Sequence, residues 1–292
     1  MSSSLSLARV NGDTSFIITI NNKRLLVDPW LFGNEVDGCS CFNTAMLVEP
    51  AISIDKIGNI DAIIITHEFS DHLHEETLLL LDDKIPILAT KSAIKRLKKN
   101  RLLCKRYIIE IPSSNQSIQL ILFDDSIRIG LICASGLLDF VHNALLIFPN
   151  DNTNGVDERD ILLNEKDSTN TKTKSDIKGG GICYCPHGFV LNENGVLTKE
   201  ISNYKFDLLI VTMTEYYLPF YVGGTVNLGL LAAAALTNVL KPQFVVNCHS
   251  EKKNASGIIP LLAKPTYPSN KEIKEKINCY IELNGYEALL LL

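Results

Sequence analysis

The sequence predicts an α/β fold in which two strand-rich halves pack sheet against sheet. Three observations carry this expectation. Short β-branched runs fill both halves, the run Ile60–Thr66 is almost continuously apolar, and strand and helix signals alternate after each strand-rich opening. With Ile63, Ile64 and Ile65 side by side, that run has no polar face and reads as a strand covered on both sides.

Each element follows from local chemistry. Ser15–Ile20 and Arg24–Val27 read as strands joined by the turn Asn21-Asn22-Lys23. Pro29 stops the second strand and leaves Asp28 at its carboxyl edge. A polar loop with Gly and Cys runs from Gly33 to about Asn43. After Ile60–Thr66 the chain turns through His67–Leu73 and enters a helix over Thr77–Leu81, with Glu75 and Glu76 in its first turn. Ile85–Ala89 is another short strand, and Ser92 is the expected N-cap of a helix over Ala93–Lys99. This order places His67–His72 at a strand's carboxyl end, where open sheets present their loops.

Tyr107–Ile111, Ser117–Phe123, Ile127–Cys133 and Ala144–Phe148 read as further strands. Residues 149 to about 180 then lose apolar character and cannot bury enough area to offset the cost of ordering. They are expected to be a disordered insertion within one domain spanning 1–292. Gly181–Cys185, Leu208–Thr212 and Phe244–Asn247 resume the strand pattern. A helix over 227–240 is expected to open at Asn227 and stop before Pro242, and another lies near Asn270–Ile277.

Composition narrows the function. The chain has 292 residues and is 46% hydrophobic, ample for one sizeable core. Net charge is -5, from 28 basic and 33 acidic residues, which argues against duplex nucleic-acid binding. The one basic cluster, Lys95 to Arg106, reads as the solvated face and exit of a helix. No uninterrupted apolar stretch reaches membrane-spanning length. Eight cysteines without a secretory leader fit reduced thiols in a cytoplasmic protein. Cys39-x-Cys41 and Cys183-x-Cys185 leave one residue between thiols, a tight span for a shared tetrahedral ion, so a four-thiolate zinc site is disfavoured. There is no Gly-x-Ser-x-Gly elbow for serine-hydrolase chemistry, and Gly223-Gly224 lacks a phosphate-loop context.

The six histidines stand at 67, 72, 74, 142, 187 and 249. His67, His187 and His249 each follow a strand-like run or its turn. His67, Asp71 and His72 share one strand-to-helix turn, which can fix closely spaced side chains into one pocket. Neutral imidazoles with a carboxylate suit zinc, iron or manganese, and such an ion can lower the pKa of water to about 7.

Thr66-His67-Glu68-Phe69-Ser70-Asp71-His72 resembles the metallo-β-lactamase superfamily motif, His-x-His-x-Asp-His after a hydrophobic strand. Leu26-Val27-Asp28-Pro29-Trp30-Leu31 is similar to the strand-and-loop signature of the branch that contains ascorbate-6-phosphate lactonase. The resemblance covers most of the chain outside about 150–178. It implies a four-layer αββα sandwich with one or two metals between the sheet edges. On this resemblance His67, Asp71, His72, His187 and His249 are metal ligands. Asp71 also positions the attacking water, and Asp28 orients the pocket from behind the ligands. His142 competes with His187 for one role, and His74 is a helix-start residue.

Two departures stand out. Phe69 replaces the second motif histidine and cannot coordinate. The bridging aspartate should follow the strand Leu208–Thr212, where Glu215 is the nearest carboxylate and Asp207 lies at the wrong end. The resemblance therefore implies a metal-dependent hydrolase acting on a small ester, lactone or phosphoester, with one ion rather than two. Zn2+ is the first expectation, with Mn2+ or Fe2+ as alternatives. One mononuclear ligand set is Asp71, His72 and His249, with His67 or His187 nearby. The alternative is a catalytically inactive binding or structural protein, which Phe69 supports. A small-molecule substrate is expected, nucleic acid and membrane are not, and self-association into a homo-oligomer is left open.

Overall fold

Side chains along the central strands alternate between two cores. In Ala62–Ile65, Ala62 and Ile64 enter one apolar cluster while Ile63 and Ile65 enter another, and all four are fully buried. A strand points successive side chains to opposite faces, so a run of four apolar residues needs cover on both. The protein, as a computed structural model, is described for residues 5–134, 139, 141–150, 180–192, 195–283 and 288–291.

Two sheets supply one of those covers for each other. The first has the order Ala288–Leu291, Leu5–Arg9, Phe16–Ile20, Lys23–Val27, Ala62–Ile65, Ile87–Ala89, Ile108–Glu110. Its pairings are antiparallel up to Lys23–Val27 and parallel beyond. The second runs Ile121–Phe123, Ile127–Cys133, Asn143–Pro149, Gly181–Cys185, Phe206–Thr212, Phe244–Cys248, Tyr280–Ile281, and it too changes from antiparallel to parallel, at Gly181–Cys185. Between the sheets, Phe16, Ile18, Leu25, Val27 and Ile64 meet Ile129, Leu145, Ile147, Tyr184, Leu208 and Val246.

Helices cover the outer faces. Leu78, Ala93, Ile94 and Leu97, from Glu75–Leu80 and Lys91–Leu97, pack on Leu26, Ile63, Ile65 and Ile87. Ala233, Leu236 and Leu240 of Gly229–Leu240 and Ile273 of Asn270–Lys276 pack on Leu146, Cys183, Leu209 and Val245. The result is the αββα sandwich expected of a metallo-β-lactamase-type fold.

Several local expectations shift. The helix Lys91–Leu97 is capped by Thr90, whose hydroxyl accepts from the Ala93 amide, and not by Ser92. Both residues can cap, and the strand Ile87–Ala89 ends so that Thr90 occupies the cap. Asn227 does not open the following helix. It lies in a strand, Thr225–Leu228, and the helix starts at Gly229 with φ +75°. The strand expected over Ser117–Phe123 is confined to Ile121–Phe123. Leu5–Arg9, Asn34–Asp37 and Asn43–Met46 are strands that short, mixed composition concealed. The polar insertion expected at about 150–180 falls at 151–179 outside the described residues.

The topology places the chemistry. Lys23–Val27 and Ala62–Ile65 run parallel, so Asp28 and the turn beginning at His67 leave the first sheet at the same edge. Gly181–Cys185 and Phe244–Cys248 both run parallel to Phe206–Thr212, so His187 and His249 leave the second sheet at a common edge. The sandwich brings these two edges together.

Candidate metal centre

Four histidines converge where the sheet edges meet. The ring centroids of His67 and His72 are 4.6 Å apart, His67 and His187 4.7 Å, His72 and His187 4.9 Å, and His187 and His249 4.9 Å. Three groups among the described residues have ligand atoms within 4.8 Å of one another: His67, His72 and His187; Asp71, His72 and His249; and Glu35, Asp37 and Asp71. All five residues expected as ligands thus fall in one place.

His72 is completely buried, and its Nδ1 lies 2.7 Å from Asp28 Oδ2. Asp28 leaves its strand with φ +44°, a left-handed conformation that a short polar side chain tolerates. Its carboxylate also accepts from the Thr66 amide at 2.7 Å, the Thr66 hydroxyl at 2.5 Å and the Tyr184 hydroxyl at 2.9 Å. With so many donors, Asp28 is an anchor that fixes the His72 ring and leaves Nε2 facing the cluster. Burial disfavours a charged His72, but Asp71 and Asp28 outweigh it and push its pKa up to about 9.

His187 donates from Nδ1 to Asn227 Oδ1 at 2.7 Å. The displaced Asn227 therefore orients an imidazole instead of capping a helix. Burial, reinforced by the neighbouring imidazoles, holds His187 well below its ordinary pKa, and burial lowers His67 to about 3. His249, with φ +50°, points Nδ1 at Asp13 Oδ1, 2.7 Å away, and Nε2 at Asp71 Oδ2, 3.6 Å away.

These donors fit a cation. The Nε2 atoms of His72 and His187, like that of His142, are buried and have no hydrogen-bond partner among the described residues, His72 Nε2 having only the Asp71 carboxylate 3.7 Å away, and a buried ring nitrogen left without a partner is costly. His67 is placed differently. Its Nδ1 is 2.8 Å from Thr66 Oγ1, and its Nε2 is 2.7 Å from the Val141 carbonyl and 3.4 Å from Asn143 Nδ2, so both ring nitrogens have polar neighbours. The Thr66 hydroxyl has one proton, and its shorter contact is with Asp28, which leaves His67 Nδ1–H donating to Thr66 and Nε2 accepting from Asn143.

Other expected residues do not join. His142 bonds through Nδ1 to Asp139 at 2.8 Å, and its ring has no contact with the four clustered imidazoles. Glu215 is exposed in the strand Glu215–Tyr217 and belongs to none of the groups able to hold an ion. Phe69 lies on the cluster, its ring 6.3 Å from His67 at 20° and edge-on to His187 at 6.2 Å. His74 caps the helix Glu75–Leu80, its side chain accepting from the Thr77 amide. Cys39 and Cys41 are exposed whereas Cys183 and Cys185 are buried, and no cluster joins them among the described residues. In the basic cluster, Arg96 pairs with Glu75, and Arg106 donates to the Leu78, Asp82 and Ile85 carbonyls.

Sequence reasoning missed the acidic half of the site. Asp13 is fully buried beneath His249. Lys253 Nζ lies 2.8 Å from Asp13 Oδ2 and 3.1 Å from Asp71 Oδ2, and 5.3 Å from the centre of the Trp30 ring. Burial would raise the Asp71 pKa, but Lys253, His72 and His249 hold it well below the usual carboxylate range. Glu35 accepts from the Ser70 hydroxyl at 2.6 Å, and burial together with the charge on Asp71 pushes it up to about 7. Only the Asn11-Gly12-Asp13 turn composition could have pointed to Asp13.

Fold and site together define a class: a metallo-β-lactamase-type αββα sandwich with a His/Asp cluster able to hold a metal ion at its sheet edges. Consistent with this, residues 9–118 match the model of the β-lactamase superfamily domain. No curated protein matches the chain. Among solved structures it is similar to a metallo hydrolase from the hyperthermophilic archaeon Ignicoccus hospitalis KIN4/I, at 13% identity and TM-score 0.63, covering 99% of each chain. It is also similar to a possible metal-dependent hydrolase from Veillonella parvula DSM 2008, at 14% identity and TM-score 0.64, covering 100% of each chain. A third is an isothiocyanate hydrolase from Delia radicum gut bacteria, at 14% identity and TM-score 0.61, covering 97% of this chain and 98% of that one. At these identities the likeness is one of fold.

Proposed function

We propose that the protein is a metal-dependent hydrolase of a small molecule carrying an ester, lactone or phosphoester, working with one ion. The observation that carries this reading is the pair of buried, unpartnered Nε2 atoms on His72 and His187 beside His67. His67, His72 and His187 would hold the ion, with Asp71 and His249 at its flank. Zn2+ suits this set best, and Mn2+ or Fe2+ remain alternatives. A divalent ion there supplies Lewis acidity and an acidified water.

The chain's own groups do the rest. Asp28 holds His72 in one tautomer by taking its Nδ1 proton as a hydrogen bond. Asn227 does the same for His187. Asp71, kept ionised by Lys253 and the imidazoles, would orient a water by accepting its hydrogen bond. Phe69 narrows and dries the pocket beside His67 and His187.

A cytoplasmic site of action is part of this proposal, supported by eight free cysteines. No described helix is long and apolar enough to cross a membrane. A catalytically inactive binding protein is the second reading, favoured by Phe69 in the place of an imidazole.

Metal content separates the two. Purified protein, exchanged into metal-free buffer after zinc loading, should retain stoichiometric metal. His67→Ala and His72→Ala should each lose it while keeping the native circular dichroism spectrum. Folded wild-type protein that retains no zinc, manganese or iron would leave the inactive reading standing.

A further inference from the structure

We propose that Lys253 is a tethered cation that fills the acidic half of the site and confines the metal to the imidazole half. This rests on the metal-binding reading above and adds to it a residue that sets the number of ions.

Two of the three ligand groups share His72, and the third, Glu35, Asp37 and Asp71, shares Asp71 with one of them. That ring has one nitrogen to offer, Nε2, because Nδ1 is engaged by Asp28. A single lone pair serves a single ion, so with His72 given to the imidazole side a second ion would rely on Asp71 with His249, or on Asp71 with Glu35 and Asp37. The surroundings of the two sides differ. His67 and His187 present no cation to their neighbours, and the unpartnered His187 Nε2 lies on their side, whereas His72 Nε2 is common to both and lies 3.7 Å from Asp71 Oδ1. On the other side, Asp71 Oδ2 already receives the Lys253 ammonium at 3.1 Å, and Asp13 Oδ2 receives it at 2.8 Å.

Two carboxylates, of Asp13 and Asp71, hold that ammonium, and both are buried, as is the nearby Glu35. Such a concentration of negative charge needs a counter-ion. Lys253 supplies one from the chain itself, its position further set by the Trp30 ring beneath it. A divalent ion on Asp71 Oδ2 would have to share that oxygen with a like charge. The ammonium is thus a fixed occupant of the place where Asp71, with His249 or with Glu35 and Asp37, would otherwise take a second ion.

Lys253→Met keeps the length of the stem and removes the charge. The full-length protein, wild type or variant, is saturated with Co2+ and freed of excess. Bound cobalt is counted by mass spectrometry and followed by its visible absorption. Lys253→Met should bind about one equivalent more than wild type, and Lys253→Arg should bind the wild-type number. Equal binding by Lys253→Met and wild type overturns the proposal. Should the stranded carboxylates prevent Lys253→Met from folding, Asp13→Asn removes one of them, and Asp13→Asn/Lys253→Met is compared with Asp13→Asn by the same criterion. The gain decides the role of Lys253, whereas the wild-type count separately decides whether the site takes metal at all.

Discussion

Asp28 Oδ2 and His72 Nδ1, 2.7 Å apart and both without solvent exposure, join the carboxyl ends of two neighbouring parallel strands. The contact fixes which nitrogen of His72 is free. Asp28→Asn replaces an all-acceptor group with an amide that cannot accept every hydrogen bond now made. Metal affinity should fall about 10- to 100-fold, measured by titration against a competing chelator. Unchanged affinity would mean that the His72 ring is held by packing alone.

Metal uptake should depend on pH through His72. Burial opposes its charge, but Asp71 and Asp28 raise its pKa to about 9, so a metal must displace a proton at neutral pH. His67, lowered to about 3, gives up none in this range. Affinity should therefore rise by about tenfold per pH unit between roughly pH 7 and 9 and then level off. The metal-free protein should show the opposite trend. A histidine with a raised folded-state pKa contributes stability that is complete below about pH 6.5 and is lost as pH rises through about 9. Thermal melts with and without Zn2+ across this window give both slopes.

Glu35 has a different signature. Burial and Asp71 push its carboxyl up to about 7. Folded and unfolded states bind its proton equally below the ordinary carboxylate range, and the folded state then keeps the proton longer. Its contribution to stability should fall as pH rises from about 4.5 to 7. Glu35→Gln keeps an acceptor for the Ser70 hydroxyl and removes the ionisation. The variant should melt at a higher temperature than wild type at pH 8, and at the same temperature near pH 4.5.

Phe69 can be tested as a lost ligand. Its ring is stacked at 20° over His67 and lies edge-on to His187, so an imidazole there would reach the same neighbourhood. Phe69→His should strengthen zinc binding by about tenfold or more in the same chelator competition. No change would indicate that the position 69 side chain points past the ion.

The sequence disclosed residues that punctuate secondary structure and concealed those that do not. Asp28, His67, His187 and His249 each follow a readable apolar run, so their common edge could be anticipated from strand order. Thr90 and Ser92 are equally good caps, and only the register of the preceding strand chooses between them. Asn227 looked like a helix start because its chemistry suits one, yet His187 claims its side chain from 40 residues away. Lys253 sits in the run Glu251-Lys252-Lys253, which composition alone marks as solvated. Its burial follows from Asp13 and Asp71, supplied by distant turns, and no local pattern encodes that meeting. His142 competes with His187 for one role in the sequence, and Asp139 engages the ring of His142 instead.

The most direct measurement is a crystal structure of zinc-loaded protein with anomalous scattering recorded at the zinc edge. One strong peak should lie within bonding distance, about 2.0–2.1 Å, of His72 Nε2 and His187 Nε2. No peak at that position in fully loaded, well-ordered crystals would contradict the metal centre and the hydrolase built on it.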